Sequence, residues 1–319
     1  MKGSEINLDQ FFDTTRVDIE NKISTTVPDA QIVDLLKGGK RLRSLLAQLS
    51  FKACTEGKDT HEEYQKSLEG SVSIELAHGA SLVHDDIIDK DVERRGRPSL
   101  HIKEGIGKAL LTGHKMLAHG FNIALSHGNE VAQVYVDSWN KVVSGEINEV
   151  EFNSSSSGSM SAKDQIFEAY NKIIDLKTAE LFSSACVAGA LEANMTGEIL
   201  KVFSDYGREI GMAYQLADDL VDLANGEILD SVIIPLVNRL DSKAKKITRS
   251  LKKWEIKRKF EKNKDEIYQL YIKQIKEHVK KAEELGESGI IPKSLYKDLL
   301  TDAPTYIINK MLGEINITI

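Results

Sequence analysis

The chain has 319 residues, of which 41% are hydrophobic and 29% charged, with a formal net charge of −7. This composition excludes disorder for most of the chain, and the acidic balance argues against a nucleic-acid-binding protein. No run of about 20 apolar residues occurs and the first residues, MKGSEINLDQFFD, lack a signal core, so we expect no transmembrane segment and a cytoplasmic location.

Apolar residues recur at the spacing of an α-helix along almost the whole chain. One example is the run Leu42, Leu45, Leu46 and Leu49, whose side chains would share one face of a helix. Convincing alternating strands are absent from the sequence. We therefore predict an all-α fold of ten or more helices that forms a single domain over residues 1–319.

The first motif with chemical character is Gly-Gly-Lys-Arg-Leu-Arg at residues 38–43, which opens an apolar helix. The two glycines allow a ligand to approach the backbone closely, and Lys40 and Arg43 add positive charge. The start of a helix with these residues is suited to binding a phosphate group.

Two aspartate clusters of the same form end two apolar helical stretches further along the chain. They are Asp85, Asp86 and Asp89, and Asp218, Asp219 and Asp222. Positions i and i+4 share a face of a helix, so each cluster presents carboxylates along one edge. These carboxylates repel one another unless a cation lies between them, and oxygen ligands without Cys or His indicate Mg²⁺. Two such edges facing each other would hold a diphosphate between them.

Further cations follow along the chain. Arg94 and Arg95 come just after the first aspartate cluster, and Lys177 and Thr178 begin another apolar helix, KTAELFSSACVAGA. The presence of these cations together with both aspartate clusters predicts a site for phosphate groups.

Three breaks interrupt the helical pattern, namely the serine-rich run 154–161, the pair Asn225-Gly226 and the segment 286–292. Helical periodicity resumes directly after each break, so we interpret all three as loops within one domain. Cys54 and Cys186 lie far apart and have no CxxC spacing, which predicts ordinary buried thiols.

Residues 241–281 contain 15 Lys or Arg and 6 Asp or Glu, a local excess of nine positive charges. We interpret this region as solvated helix faces. The alternative is a peripheral contact with anionic lipid. Interleaved base-stacking aromatic residues are lacking, so no nucleic-acid partner is expected.

Four segments, GGKRLR, SLVHDDIIDKDVERRGRPSLH, KTAELF and YQLADDLVD, occur in that order over roughly residues 35–240. This series resembles the motifs of the trans-isoprenyl diphosphate synthases, the polyprenyl synthetase family, of the short-to-medium chain type such as geranylgeranyl or geranylfarnesyl diphosphate synthase. The resemblance implies an isoprenoid synthase-type helical bundle around a central cavity, and a homodimer. It also implies a Mg²⁺-dependent prenyltransferase that condenses isopentenyl diphosphate with dimethylallyl, geranyl or farnesyl diphosphate.

The resemblance implies a role for each motif residue. Three Mg²⁺ ions per active site would be bound by Asp85, Asp86, Asp89, Asp218, Asp219 and Asp222. Isopentenyl diphosphate would be bound by Lys40, Arg43, His78 and Arg95, and the allylic diphosphate by Arg94, Lys177, Thr178 and Gln215. The catalytic residues would be Asp85, Asp86, Asp89, Asp218, Asp219 and Lys177. Metal-assisted ionisation of the allylic diphosphate would leave a cation that the double bond of isopentenyl diphosphate attacks.

Two histidines near the first aspartate cluster receive different interpretations. His78 precedes Asp85 by seven positions, which places it two turns away on the same helix face and fits a substrate-binding role. His84 directly precedes the cluster and is expected to pack against neighbouring side chains.

The sequence departs from the family pattern at two places. The loop after Asp222 is about ten residues shorter than in the family and has no lysine before Pro235. One contact to the allylic phosphate is therefore missing, or is supplied elsewhere, for example by Lys243. The second departure is Gly113-His114, where the family has Gly-Asp.

Product length in this family depends on bulky side chains upstream of the first aspartate cluster. Here Ser81, Ala80 and Ala77 are small, and Ile74 is the first large side chain on that face. One helical turn rises about 5.4 Å, close to one isoprene unit. We therefore expect a product of C20 to C30, with C25 as the preferred length.

Three alternatives remain open. A non-catalytic subunit of a hetero-oligomeric prenyl synthase would account for the shortened loop, although both aspartate clusters are intact. A class I terpene cyclase would normally carry an Asn/Ser/Glu-type second motif in place of Asp218, Asp219 and Asp222. A metal-dependent phosphohydrolase built on His84-Asp85 would leave the second cluster and the glycine-rich motif unexplained.

Overall fold

The computed structural model describes residues 6–154, 163–226 and 253–319. Within this part of the chain, more than ten α-helices and one two-stranded hairpin confirm the predicted all-α fold. The described residues divide into two compact units. The first unit comprises residues 6–139, 184–204 and 287–300, and the second comprises 140–154, 163–183, 205–226, 253–286 and 301–319. The interpretation as one domain over 1–319 stays a prediction.

The secondary structure elements follow one another along the chain in a simple order. They are α1 (Leu8–Thr26), α2 (Ala30–Leu36), α3 (Leu42–Thr55), α4 (His61–Asp89), β1 (Glu93–Arg94), β2 (Arg97–Pro98), α5 (Leu100–Glu104), α6 (Ile106–Ser126), α7 (Asn129–Ser154), α8 (Lys163–Ile174), a π-helical turn (Asp175–Ala179), α9 (Glu180–Glu192), α10 (Glu198–Ala224), α11 (Lys253–Gly286), α12 (Leu295–Leu312) and a 3₁₀ turn (Gly313–Ile315).

The first unit is organised around α4, which packs against α1, α3 and α6. A capping box fixes the start of α4: the Thr60 hydroxyl accepts from the backbone of Glu63, whose carboxylate accepts from the backbone N–H of Thr60. Packing of α9 on α3 requires a glycine at position 189, since a Cβ there would lie 2.0 Å from the carbonyl oxygen of Ala47. Cys54 and Cys186 are both buried, as predicted.

The second unit has a close backbone crossing between α10 and the segment around the π-helical turn. A Cβ at Gly207 would lie 2.4 Å from the carbonyl oxygen of Phe182, and one at Gly211 would lie 2.5 Å from Cα of Ala179. The crossing therefore depends on both glycines. It brings α10, at positions 207–211, directly against the end of the turn that carries Lys177.

Most predicted boundaries are confirmed. Helix α10 ends at Ala224 just before the Asn225-Gly226 break, and α11 ends at Gly286 where the third break begins. The serine-rich run lies outside the described residues beyond Ser154. Two local features differ from expectation: residues 93–98 form a β-hairpin, and Lys177-Thr178 lie in a π-helical turn before α9 instead of at its start.

The basic region 241–281 is described only from Lys253 onward, as part of α11. From position 260 to position 286 the helix carries six lysines and six acidic residues, so the positive excess lies mainly in residues 241–259. Peripheral lipid contact through this region stays a prediction. No helix in the described part of the chain is both long and apolar enough to cross a membrane.

Candidate active site

The glycine-rich loop between α2 and α3 is held in shape by Arg41. This residue has a left-handed backbone (φ +60°) and a side chain that is only 1% exposed. Its guanidinium donates to Glu20 Oε1 at 2.8 Å, to Glu75 Oε2 at 2.7 Å and to the carbonyl oxygen of Leu36. Ser44 donates to the other oxygen of Glu75 at 2.5 Å. Arg41 thus ties the loop to α1, α2 and α4.

Beside this loop the structure brings together three of the residues predicted to bind isopentenyl diphosphate. Arg43 Nη1 lies 3.1 Å from His78 Nε2, and Arg95 Nη1 donates to the carbonyl oxygen of Lys37 at 3.1 Å. Burial, and then the charges of Arg43 and Arg95 foremost, lower the pKa of His78 well below its usual value. His78 is therefore neutral within a cluster of arginines. Lys40, the fourth predicted residue, is exposed on the same loop.

His78 and Arg95 of this cluster line a cavity of about 490 Å³ within the first unit. Arg94, Arg95 and His78 contribute to its polar wall, while Leu82 and Val83 of α4 contribute apolar surface. Such a combination of positive charge and apolar surface suits a ligand that has an anionic head and a short hydrocarbon tail.

The first aspartate cluster lies in the last turn of α4, as predicted. Asp86 is buried and accepts from Arg94, with Nε at 2.7 Å and Nη2 at 2.5 Å from its Oδ1. Arg94 also pairs with Asp91 at 3.2 Å. Asp85 is half-buried and Asp89 is exposed. Arg94, predicted to bind the allylic diphosphate, therefore neutralises a predicted metal ligand in this state.

The second aspartate cluster lies near the end of α10 in the second unit, also as predicted. Asp218 and Asp222 are half-buried, whereas Asp219 is only 2% exposed. Burial is the main reason that the pKa of Asp219 rises to about 7, and the charges of Asp218 and Asp222 add to the effect. Asp218 and Asp222 are thus the more accessible carboxylates of this cluster.

A hydrogen-bond chain connects Asp219 to two further predicted residues. Thr178 Oγ1 donates to Gln215 Oε1 at 2.8 Å, and Gln215 Nε2 donates to Asp219 Oδ1 at 3.0 Å. The hydroxyl of Tyr170 donates to the second carboxylate oxygen, Oδ2. Tyr170 is buried, and it was not among the predicted site residues. The only signal in the sequence was a tyrosine within an amphipathic helix, seven positions before Lys177.

Lys177 lies in the π-helical turn and contacts two glutamates of α7. Its ammonium nitrogen is 2.7 Å from Glu146 Oε1 and 2.8 Å from Glu149 Oε2. The sequence interpretation missed both glutamates, although Gly145-Glu146 followed by Glu149 places two carboxylates on one face of a helix.

At the departure Gly113-His114, the histidine ring contacts the ring of His84. The ring of His84 lies 5.3 Å from the ring of His114 and 6.3 Å from that of Trp139. A Cβ at position 113 would lie 2.4 Å from His84 Nε2, so only glycine leaves room for this imidazole. His84 therefore packs, as expected. The other departure, in the loop after Asp222, lies outside the described residues beyond Gly226.

The residues predicted to set product length all lie on α4. Ala77, Ala80 and Ser81 are buried and Ile74 is half-buried. Ser81 donates to the carbonyl oxygen of His78 at 2.8 Å, so its hydroxyl is used within the helix. The neighbouring surface of α4 at Gly79 is closed by Leu36 and Met116.

Comparison with known proteins agrees with this arrangement. A sequence profile of the Polyprenyl synthetase family matches residues 29–283. The chain belongs to the polyprenyl synthetase family. Geranylgeranyl diphosphate synthase of Methanosarcina mazei is 30% identical over 233 residues, which cover 70% of this chain and 65% of that protein. Octaprenyl diphosphate synthase of Escherichia coli is 32% identical over 194 residues, which cover 60% and 56%.

Family membership extends to three-dimensional structure. The crystal structure of a geranylgeranyl pyrophosphate synthetase from Pyrococcus horikoshii matches with a TM-score of 0.75 at 25% identity, covering 94% of this chain and 98% of that one. In sequence, however, the chain spans less than two thirds of the length of the two curated synthetases. Members of the polyprenyl synthetase family with very different product names are thus similar to this chain.

The ligand atoms of the two aspartate clusters are of the kind that Mg²⁺ prefers. In residues 6–154, 163–226 and 253–319, no group of three or more His, Cys, Asp or Glu side chains is arranged to hold an ion by itself. Each aspartate cluster offers carboxylate oxygens only. Mg²⁺ binds through one or two carboxylates and takes its remaining ligands from water and substrate phosphates, so such a donor set suits it.

Proposed function

We propose that this protein is a Mg²⁺-dependent trans-prenyltransferase that condenses isopentenyl diphosphate with an allylic diphosphate. The observation that carries the proposal is the cavity of about 490 Å³ that is lined by Arg95 and His78 and by the apolar side chains of Leu82 and Val83. The cavity matches the isopentenyl substrate in charge and polarity. Family membership supports the same reaction class.

The first unit would bind isopentenyl diphosphate. Arg43 and Arg95 would contact its phosphate oxygens through charge-assisted hydrogen bonds. Neutral His78, held by Arg43 at 3.1 Å, would add a hydrogen bond without further charge repulsion in the arginine cluster. Lys40 would contribute long-range attraction from its exposed position on the loop.

The residues of the second unit would orient the allylic diphosphate. Lys177 would contact its phosphate oxygens, and Gln215 and Thr178 would do so next to the second aspartate cluster. Asp85, Asp86, Asp89, Asp218, Asp219 and Asp222 would hold three Mg²⁺ ions. Both oxygens of Asp219 already accept hydrogen bonds within the protein, so Asp218 and Asp222 would be the more exposed metal ligands of this cluster. The metal ions would neutralise the charge that develops on the departing diphosphate.

For the product we propose a length of C20 to C30, with C25 preferred. The support is the run of small buried side chains Ala77, Ala80 and Ser81 on α4, above the larger Ile74. The names of the relatives span geranylgeranyl to octaprenyl diphosphate synthase, so they do not choose among these lengths.

We further propose that two copies of the chain form a homodimer. Helix α6 exposes Ile106, Leu110, Leu111 and Leu125, which are 42 to 67% accessible. Large exposed apolar groups on one helix are typical of a surface that another protein covers. Light scattering coupled to size-exclusion chromatography measures the mass directly, and a monomer would refute this part of the proposal.

The main alternative is a non-catalytic subunit of a hetero-oligomeric synthase, favoured by the short loop after Asp222. The test is incubation of the purified protein with Mg²⁺, isopentenyl diphosphate and dimethylallyl, geranyl or farnesyl diphosphate in turn. Mass spectrometry of the dephosphorylated products then gives their lengths.

We expect a ladder that ends between C20 and C30. An Asp85→Ala variant should lose about 10³-fold in rate, since it removes a ligand that acts in the transition state. Glu62→Gln, an exposed carboxylate in the first turn of the same helix, is the matched control. Absence of elongation with every primer would refute the catalytic proposal and favour the subunit alternative.

A further inference from the structure

Lys177 is the residue of the second unit whose surroundings the proposed function leaves unexplained. Its ammonium contacts Glu149 by a hydrogen bond of 2.8 Å and Glu146 by an ion pair of 2.7 Å. The three side chains are 15 to 23% exposed, so water screens the contacts only in part. Lys177, which we propose binds a diphosphate, is therefore held between two carboxylates of the protein itself.

The backbone around this cluster is built to bring the three residues together. Gly145 precedes Glu146 on α7, and a Cβ there would lie 3.0 Å from both Cβ of Leu176 and the backbone nitrogen of Lys177. Glycine thus lets α7 approach the π-helical turn closely enough for Glu146 and Glu149 to reach the ammonium. A larger residue at position 145 would push the two segments apart.

The π-helical turn is fixed from its other side as well. Arg208 of α10 pairs with Asp175 and, at 2.8 Å, with Glu180, which bracket the turn. Lys141 of α7 also contacts Glu180, at 2.9 Å. Since π-helical turns are rare and occur often at functional sites, this degree of support indicates that the position of Lys177 matters.

We propose that Glu146 and Glu149 are positioning residues that hold the Lys177 ammonium ready for the phosphate of the allylic substrate. This inference rests on the proposed function. A free lysine has many rotamers and loses them when it binds a phosphate oxygen. Two carboxylates already restrict Lys177 in the folded protein. Its side chain therefore loses this conformational entropy during folding and not during substrate binding.

The test is a double-mutant cycle between Glu149 and Lys177, read as KM and kcat for each substrate separately. In the wild-type background, Glu149→Ala should raise KM for the allylic diphosphate about threefold to tenfold, the effect of releasing one rotamer-rich side chain. KM for isopentenyl diphosphate should stay within about twofold. In a Lys177→Met background, Glu149→Ala should have no further effect, because the residue through which it acts is gone.

Two variants control for structure. Glu149→Gln retains a hydrogen-bond acceptor for the ammonium and should lie closer to wild type than Glu149→Ala. Glu130→Ala removes an exposed carboxylate from the first turn of the same helix and should leave both KM values unchanged. Thermal unfolding of each variant verifies that it is folded under the assay conditions.

The outcomes are separable. An equal loss in both Lys177 backgrounds, a parallel rise of both KM values, or unchanged kinetics in Glu149→Ala would each overturn the positioning role while the proposed function stands. Lack of elongation by the wild-type protein would instead refute the proposed function itself.

Discussion

The two units differ in how the charged residues of the predicted sites are paired. In the first unit Arg43, His78 and Arg95 form a cluster with an excess of positive charge beside a cavity. In the second unit the predicted substrate residues are paired within the protein: Lys177 contacts two glutamates, and Thr178, Gln215 and Asp219 form one hydrogen-bond chain.

This difference indicates how each unit would bind an anion. The first would attract a phosphate group through its excess charge, and the loop that carries Arg43 is fixed by the buried ion pair of Arg41 with Glu75. In the second, Lys177 would meet the phosphate in a position already set by Glu146 and Glu149. Binding in the first unit should therefore depend on charge, and binding in the second on positioning.

Removal of the scaffold of the first unit should give the largest effect. Arg41→Met leaves Glu75, whose side chain is 3% exposed, without its cation. Breaking a buried pair in this way costs about 3–5 kcal/mol in free energy of unfolding, which urea denaturation measures. Arg16→Met, at a surface pair with Asp13, should change it by less than about 1 kcal/mol. Equal effects of the two changes would contradict the scaffold role.

Loss of charge from the cluster itself should come next. Arg43→Ala should raise KM for isopentenyl diphosphate roughly 10- to 100-fold, the range for a charge-assisted hydrogen bond of about 1.5–3 kcal/mol. Initial rates at varied substrate concentration give this value. Lys58→Ala removes an exposed cation elsewhere in the first unit, and a comparable rise in KM there would show that Arg43 contributes only general charge.

In the second unit a single hydroxyl should matter. Tyr170→Phe removes the hydroxyl that donates a hydrogen bond to buried Asp219. The free energy with which the second aspartate cluster binds its ligands should fall by about 1–3 kcal/mol. The readout is the thermal shift that Mg²⁺ and inorganic diphosphate produce together. Tyr135→Phe removes a hydrogen bond of 3.0 Å to the Leu117 carbonyl oxygen, in the first unit, and should leave that shift unchanged. A shift reduced equally in both variants would argue against positioning by Tyr170.

The smallest effect concerns pH. Burial and neighbouring arginines lower the pKa of His78 in the folded state, so below about pH 6.5 the unfolded chain binds a proton that the folded chain does not. Stability from neutral His78 is therefore present above that pH and lost as the pH falls, by at most about 1.4 kcal/mol per pH unit. His78→Gln should show a shallower decline in unfolding free energy between pH 7 and 5. Exposed His61→Gln should match wild type, and identical slopes in all three proteins would refute the argument.

Local patterns predicted much of this molecule. The apolar spacing around Leu45 and Leu49 predicted α3, and the aspartates at positions 85 and 218 were placed correctly on α4 and α10. These features depend on residues within a few turns of one another. Helical periodicity and charge spacing contain that information directly.

What could not be predicted depends on residues far apart in sequence. Tyr170 and Asp219 are 49 positions apart, and Lys177 and Glu149 are 28 apart. The periodicity of apolar residues in a sequence does not predict such pairs, since they form only when helices pack against one another. The π-helical turn at Lys177 was missed for a similar reason: its surroundings, the close approach of α7 at Gly145 and the ion pairs of Arg208, come from distant parts of the chain.

The two cysteines give this protein a built-in reporter of opening. Cys54 and Cys186 are the whole thiol content of the chain, and both lie in the first unit. Burial raises the pKa of each thiol to about 12, so neither forms the thiolate that alkylating reagents attack at neutral pH. Alkylation of either thiol in the native protein would thus report local unfolding of the first unit. Fluctuations confined to the second unit would pass unlabelled.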